Sequence, residues 1–463
     1  MTNRMRQNGA MTDGVETIEL LRGALGDAVS TDAVELDAAR ADKSGRVSDA
    51  RPLAIVNART IEDVQATMRI AFEHSIPVVP RGAGTGLAGG AIGGAGEIVL
   101  STLAMRSVLE INADDELAVV QPGILNEELN DELARHGLWF APDPASKAIS
   151  SVGGNIATNA GGLLCAKYGV TREAVLGLKI VLSDGRLMSL GHRTVKGVTG
   201  YDLTALLIGS EGTLGIIVEA TLKLRPLPSG EKATIGAYFA TIEQAAAASA
   251  GITAARLRPA AMELIGESAL VAIGNLLGLA LGSRGSYLLV QFDGQAAPAD
   301  AEAAVAIIRS HGGDAEITTD EAEGDRLFAI RRAFHPAMET LGTVLIEDVA
   351  VPRSQLPAMF AAISDIEKKY DCVIPTVAHA GDGNLHPNFI FDGDEVPDEV
   401  WSAADELFVA CLKLGGTLTG EHGVGLLKKR WLRDELGDDQ VDLQVELKRV
   451  FDPKGIFNPG KVF

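Results

Sequence analysis

The chain has 463 residues, 46% of them apolar and 22% charged, a balance that suits two or three globular domains with their own cores. A formal net charge of −21 argues against nucleic acid and anionic lipid as partners, and an acidic substrate would need local positive charge. Three scattered cysteines (Cys165, Cys372, Cys411) make no C-x-x-C pair, so neither an iron–sulfur cluster nor a zinc knuckle is expected, and they fit a reducing cytoplasm. Residues 1–14 are polar and carry Arg4 and Arg6, which does not read as a secretory signal. No apolar run of about eighteen residues marks a transmembrane segment.

Residues 1–47 read as an N-terminal helical segment. The stretch 60–74 is an amphipathic helix opened by Thr60 and Asp63, with Val64, Met68 and Ala71 near one face. A strand over 76–79 leads into a glycine-rich loop, 82–96, and a strand over 97–101 leaves it. Further strands are read at 117–120 and 216–224, a helix at 126–136 stopped by Gly137, and a hairpin over 175–190 turned by Asp184-Gly185. Two more glycine-rich segments lie at 151–162 and 197–215. Proline and glycine bunch at 226–230, which reads as a domain boundary. Beyond it, strands (234–239, 287–292, 344–349) alternate with helices (242–252, 299–310, 326–341, 355–369), predicting an α+β domain with helices packed on one sheet. Residues 401–414 and 441–450 are helical.

The 52 glycines of the chain cluster. Gly84-Thr85-Gly86-Leu87-Ala88-Gly89 follows a strand and matches G-x-G-x-x-G, but a dinucleotide fingerprint needs a helix next, and here more glycine and a strand follow. What remains is a run of peptide N–H groups unshielded by side chains, able to nest a diphosphate, with Arg81 at its mouth. Eight glycines in fifteen residues would be a large entropic cost for a mere connector. In the second segment, Gly153, Gly154, Gly161 and Gly162 allow close backbone approach, and Asn155, Thr158 and Asn159 offer polar groups to the edge of a flat ring. In the third, Gly209, Gly212 and Gly215 precede an apolar strand.

Together these three segments resemble the FAD-binding domain of the vanillyl-alcohol oxidase superfamily, the PCMH type, over residues 48–227, with PRGAGTGLAGG as its glycine loop. The resemblance implies FAD held by Arg81, Gly82, Ala83, Gly84, Thr85, Gly86 and Leu87 of the loop. It adds Pro142, Ser146, Gly153, Gly154, Asn155, Thr158, Asn159 and Gly161 of the second segment, and Glu211, Gly212, Gly215, Ile216 and Ile217 of the third. No histidine lies between Arg81 and Gly96, so the flavin is expected to be non-covalent.

Near the other end, His379-Ala-Gly-Asp-Gly-Asn-Leu-His386-Pro-Asn388 follows a strand over 373–378. A strand, a tight glycine turn and a second strand can bring two imidazoles to one point, which suits a divalent transition ion. Gly420-Glu421-His422-Gly423 supplies a carboxylate and another histidine, and two histidines with one carboxylate leave coordination positions for substrate. Asp382 is an alternative ligand, although in an Asp-Gly turn it more often caps backbone. These motifs resemble the FAD-linked oxidase C-terminal domain of D-lactate dehydrogenases, D-2-hydroxyglutarate dehydrogenases and the flavin subunit of bacterial glycolate oxidase, here over 228–463. By that resemblance the metal ligands are His379, His386 and Glu421; zinc or manganese is the expected ion, and such a site also accepts iron. His422 is the catalytic histidine, Arg331 binds the substrate carboxylate, Asn388 contacts substrate, and Asn458 in the terminal Asn-Pro-Gly-Lys motif belongs to the cofactor site.

The resemblance implies oxidation of a small D-2-hydroxy acid to the 2-oxo acid. Arg331 forks onto the carboxylate, His422 takes the hydroxyl proton, and hydride passes to flavin N5. D-lactate leads, ahead of D-2-hydroxyglutarate and glycolate: the stretch Val344-Leu-Ile-Glu347-Asp348 lacks the lysine that 2-hydroxyglutarate enzymes place there, though Arg332 or His335 could substitute. The electron acceptor (quinone, cytochrome, electron-transfer flavoprotein or oxygen) is left open, and a homodimer is one assembly to test. A rival from another class is a flavin-dependent transferase resembling alkyl-glycerone-phosphate synthase, which performs no net redox.

Overall fold

The computed structural model describes residues 2–393 and 395–463 and divides into two units. The first takes Met1–Ala160, Val170–Leu227 and His422–Phe463; the second takes Gly161–Gly169 and Pro228–Glu421.

In the first unit, the capping box forms as read: Asp63 N–H donates to Thr60 Oγ1 at 3.2 Å and Thr60 N–H donates to Asp63 Oδ2 at 3.1 Å. It starts the helix Ile61–His74, which buries Val64, Thr67, Met68 and Ala71. That face packs with Val56, Val78, Ile98 and Leu100 of a four-stranded sheet. Its strand order is Val29–Ser30, Ala54–Asn57, Ile98–Ser101, Val78–Arg81. The last two run parallel, and the glycine-rich loop is their whole connection, where a helix is usual. A five-stranded antiparallel sheet (Val108–Asn112, Leu117–Val120, Ile216–Lys223, Val175–Val181, Leu187–Gly191) carries a second core around Val120, Leu178, Ile180 and Leu222. Residues 151–162, read from the sequence only as a glycine-rich segment, hold the helix Val152–Thr158. Ser151 caps it by accepting from Gly154 N–H, Val152 and Ile156 bury its inner face, and Asn159 in the left-handed region ends it. Cap and burial override the poor helix propensity of two glycines.

The second unit is built on an eight-stranded sheet. Its order is Asp314–Thr318, Lys232–Phe239, Ser286–Asp293, Ala261–Ile265, Thr376–His379, Asn384–Phe391, Thr343–Ile346, with Val349–Ala350 also pairing the Asn384 strand. All its pairings are antiparallel. The helices Ile242–Ala254 and Ala297–Ser310 bury runs of alanine with one isoleucine each. The single helix expected over 326–341 is two, Glu321–Arg332 and Phe334–Glu339, parted at Ala333. Pro336 explains the break, because its ring cannot coexist with a continuous helical carbonyl at Arg332. The strand Ala261–Ile265 and the helix Glu267–Leu277 were not expected, since a five-residue apolar run carries no clear period. Among the described residues, no helix is long and apolar enough to cross a membrane.

Candidate functional site

In the second unit, the strands Thr376–His379 and Asn384–Phe391 form the hairpin expected from the sequence, with Val377 opposite His386 and His379 opposite Asn384. That register puts His379, Asn384, His386 and Asn388 on one face of the sheet. The two imidazoles sit 5.2 Å apart, edge to face. Glu421 meets them: its Oε1 lies 3.6 Å from His379 Nε2 and its Oε2 3.8 Å from His386 Nε2. One ligand atom from each of the three falls within 4.8 Å of the others. A cation at about 2.1 Å from each ligand spaces such atoms by roughly 3–4 Å, so the donor set fits a divalent ion with little movement. Gly161, expected at the cofactor, adjoins this cluster: a Cβ there would stand 2.7 Å from Glu421 Oε1. Asp382 does what an Asp-Gly turn asks of it, its Oδ1 accepting from Asn384 N–H at 3.1 Å.

Arg331 ends the helix Glu321–Arg332, and its Nε donates to Glu263 Oε2 at 2.7 Å. Its Nη atoms make no hydrogen bond among the described residues, so the guanidinium fork is available to an anion. Asn388 is fully buried. Its amide donates to His386 O at 2.7 Å, and its Oδ1 has no partner among the described residues. Arg332 is turned elsewhere, exposed and bound to the Asp325 carbonyl at 2.9 Å, so it does not take the place of the missing lysine.

In the first unit, no N–H group of residues 82–90 donates a hydrogen bond within the described residues, although the loop is half-buried. An unsatisfied run of this kind is what a bound diphosphate would satisfy. Arg81 braces the loop rather than standing free at its mouth: its Nη1 donates to Ala91 O at 2.7 Å. Gly84, at φ 69, lies so close under that guanidinium that a Cβ would meet it at 2.3 Å. Asn458 donates to Gly90 O at 2.9 Å and Glu211 O at 2.8 Å, and Lys461 reaches Ile92 O, so the terminal motif holds the loop in shape. Glu211 accepts from the N–H groups of Val424 and Gly425 at 2.7 and 2.9 Å.

The polar side chains of the second glycine segment are occupied within the chain. Asn155 donates to Ser150 Oγ, Thr158 to Gly154 O, and Asn159 Oδ1 accepts from Arg172 N–H. Pro142 O likewise accepts from Asn126. Ile216 points into the core and Ile217 packs against it. This segment and the strand Ile216–Lys223 therefore offer a cofactor backbone more than side chains.

Two family models match the chain: the FAD binding domain over residues 52–191, and the FAD linked oxidases, C-terminal domain, over 229–462. The chain belongs to the FAD-linked oxidases. Glycolate oxidase subunit GlcD of Bacillus subtilis (strain 168) is 40% identical over 422 residues, 89% of each chain. D-lactate dehydrogenase of Archaeoglobus fulgidus is 36% identical, covering 89% of this chain and 92% of that one. D-2-hydroxyglutarate dehydrogenase of Xanthomonas citri pv. viticola is 36% identical over 89% of each. Among solved structures, p-cresol methylhydroxylase matches with a TM-score of 0.79 at 17% identity over 97% of each chain. Alkyldihydroxyacetonephosphate synthase matches at 0.74 and 20%, over 96% of this chain and 85% of that one. At those identities the structures support the fold alone.

This FAD-linked oxidase carries two buried carboxylates behind its histidines that sequence reasoning did not assign. Glu263 accepts from His379 Nδ1 at 2.7 Å. Asp348 accepts from Asn384 Nδ2, Thr419 Oγ1 and Glu421 N–H at 2.6, 2.7 and 3.0 Å, and its Oδ1 lies 3.9 Å from His386 Nδ1. Both side chains are wholly buried. Burial opposes charge on His379, but Glu263 and Glu421 outweigh it and lift its pKa to about 10. Burial, with Asp348, Asp382 and Glu263 adding to it, pushes Glu421 up to about 7. Negative charge is crowded into a dry site, which is the electrostatic setting a divalent cation relieves. The signal for both carboxylates was present: each is an acid inside an apolar run, Ala-Met-Glu263-Leu-Ile and Val-Leu-Ile-Glu-Asp348.

Proposed function

We propose that this FAD-linked oxidase oxidises a small D-2-hydroxy acid to its 2-oxo acid, using FAD and a divalent metal such as zinc or manganese. One observation carries the reading: two imidazoles and a carboxylate converge beside an arginine whose fork is free for a carboxylate. The relatives named for glycolate, D-lactate and D-2-hydroxyglutarate point the same way. His379, His386 and Glu421 would hold the cation, which supplies Lewis acidity toward the substrate hydroxyl. FAD, when bound at the glycine loop and the segments with it, supplies the hydride acceptor. Arg331 orients the substrate carboxylate bidentately and provides local positive charge against the net −21 of the chain. His422, next in the chain after Glu421, receives the hydroxyl proton as general base. Asn388 steadies the His386 backbone, and its Oδ1 remains for the substrate.

A monocarboxylate substrate, D-lactate ahead of glycolate, follows from the residues near the site. Residues 344–348 contain no lysine, and Arg332 is engaged with Asp325, which leaves His335 as the one substitute a dicarboxylate could use. Cys165, Cys372 and Cys411 are joined by no disulfide, which is consistent with a reducing compartment. The decisive measurement is anaerobic bleaching of the bound flavin by D-lactate, glycolate, D-2-hydroxyglutarate and their L counterparts, before and after EDTA treatment. D-lactate or glycolate should bleach it, EDTA should slow the bleaching, and Mn2+ or Zn2+ should restore it. A flavin that no 2-hydroxy acid reduces sinks the reading and favours a non-redox transferase; bleaching indifferent to EDTA removes the metal from it.

A further inference from the structure

Glu263 occupies an unusual place for an acid. It sits at the centre of the strand Ala261–Ile265, directly across from His379 on the neighbouring antiparallel strand, and none of it is exposed. Its two oxygens serve two different partners: Oε1 meets His379 Nδ1 and Oε2 meets Arg331 Nε, each at 2.7 Å. An isolated carboxylate at such depth would be strongly destabilising, so its retention here needs both partners.

The two bonds have different consequences. A carboxylate on Nδ1 holds a proton on that atom, so that Nε2, which faces Glu421 at 3.6 Å, is the nitrogen a cation can take. The bond to Nε occupies the side of the guanidinium and leaves the end-on pair of Nη donors of Arg331 for a substrate carboxylate. The arginine side chain is only 14% exposed, so it has little freedom to find that orientation by itself.

We propose that Glu263 is a positioning residue that sets the metal-binding tautomer of His379 and the substrate-binding orientation of Arg331 at once, so that one carboxylate aligns the cation site with the anion site. This rests on the reading of the cluster as a metal site and of Arg331 as the carboxylate-binding group. A residue with only a packing role would affect stability; this one affects two separate binding steps and leaves the chemical step nearly intact once both are saturated.

The test compares wild type, Glu263→Gln and Glu367→Gln as FAD-loaded protein. Glu367 is another half-buried acid of the same unit, bound to Ile374 N–H. Mn2+ affinity is read by calorimetry without substrate, and KM and kcat with D-lactate or glycolate at saturating Mn2+. Glu263→Gln should weaken Mn2+ binding by about 10- to 100-fold. It should raise KM by about tenfold while kcat stays within about threefold, and Glu367→Gln should match wild type in all three. Unchanged Mn2+ affinity in Glu263→Gln overturns the proposal. So does weaker Mn2+ binding with an unchanged KM, which breaks the bridge to Arg331, and so does an equal loss in Glu367→Gln. If Glu263→Gln does not fold, Glu263→Asp keeps the charge but withdraws it by one methylene, and the same pattern is required of it. Wild-type protein that binds no Mn2+ refutes the metal reading itself, a result distinct from any of these.

Discussion

Glu211 shows how a single residue ties stability to pH. Its carboxylate accepts two backbone N–H groups, from Val424 and Gly425, yet burial outweighs them and raises its pKa from 4.5 to about 7. The folded protein therefore keeps this proton to higher pH than the unfolded chain does. Below pH 4.5 both states are protonated and the stabilising contribution is fully present; between 4.5 and 7 the unfolded chain ionises first and the contribution is lost. A shift of this size corresponds to roughly 3 kcal/mol, levelling off above pH 7. Glu211→Gln has no proton to lose, so urea unfolding at pH 5, 6, 7 and 8 should show the variant gaining on wild type as pH rises, whatever its absolute stability. A constant difference across that range would mean that Glu211 titrates like an exposed acid.

At the scale of elements, the turn between the strands Thr376–His379 and Asn384–Phe391 decides whether the two histidines meet. Gly383 has φ 94, and a Cβ there would lie 2.1 Å from Val351 O. Gly383→Ala should cost at least about 2 kcal/mol through backbone strain and collision. On the proposed metal reading it should also weaken Mn2+ binding at least about tenfold, because the register of the hairpin sets the spacing of the proposed ligands. Competition with a Mn2+ indicator measures this, and wild-type affinity in the variant would show that the turn does not set the site. This hairpin was legible in the sequence because glycine spacing and histidine spacing are both local signals. So was the capping box at Thr60 and Asp63. The strand Ala261–Ile265 was not legible, although it carries Glu263. Its partners Arg331 and His379 lie 68 and 116 residues away, and long-range pairing leaves no periodic trace. The helix Val152–Thr158 was missed for the opposite reason: local propensity spoke against it, and capping and burial prevailed.

The whole molecule bears on catalysis through its charge. At −21, the chain repels any anionic substrate over distances set by the Debye length, about 30 Å at 0.01 M ionic strength and about 8 Å at 0.15 M. The attraction proposed for Arg331 would act at contact and from a largely buried side chain, so salt would screen it much less. The two effects have opposite signs, and range decides between them: capture from solution is governed by the long-range repulsion, and the bound state by the short-range attraction. The value of kcat/KM for D-lactate or glycolate should therefore rise roughly two- to fivefold as KCl goes from 10 to 200 mM, with kcat little changed. Enzymes that steer an anion through a basic approach show the reverse trend. Initial rates at substrate concentrations well below KM, with viscosity matched, measure it directly. A steady fall of kcat/KM with salt would mean that local positive charge at the entrance outweighs the net charge of the chain, and Arg331→Met would then have to abolish that fall.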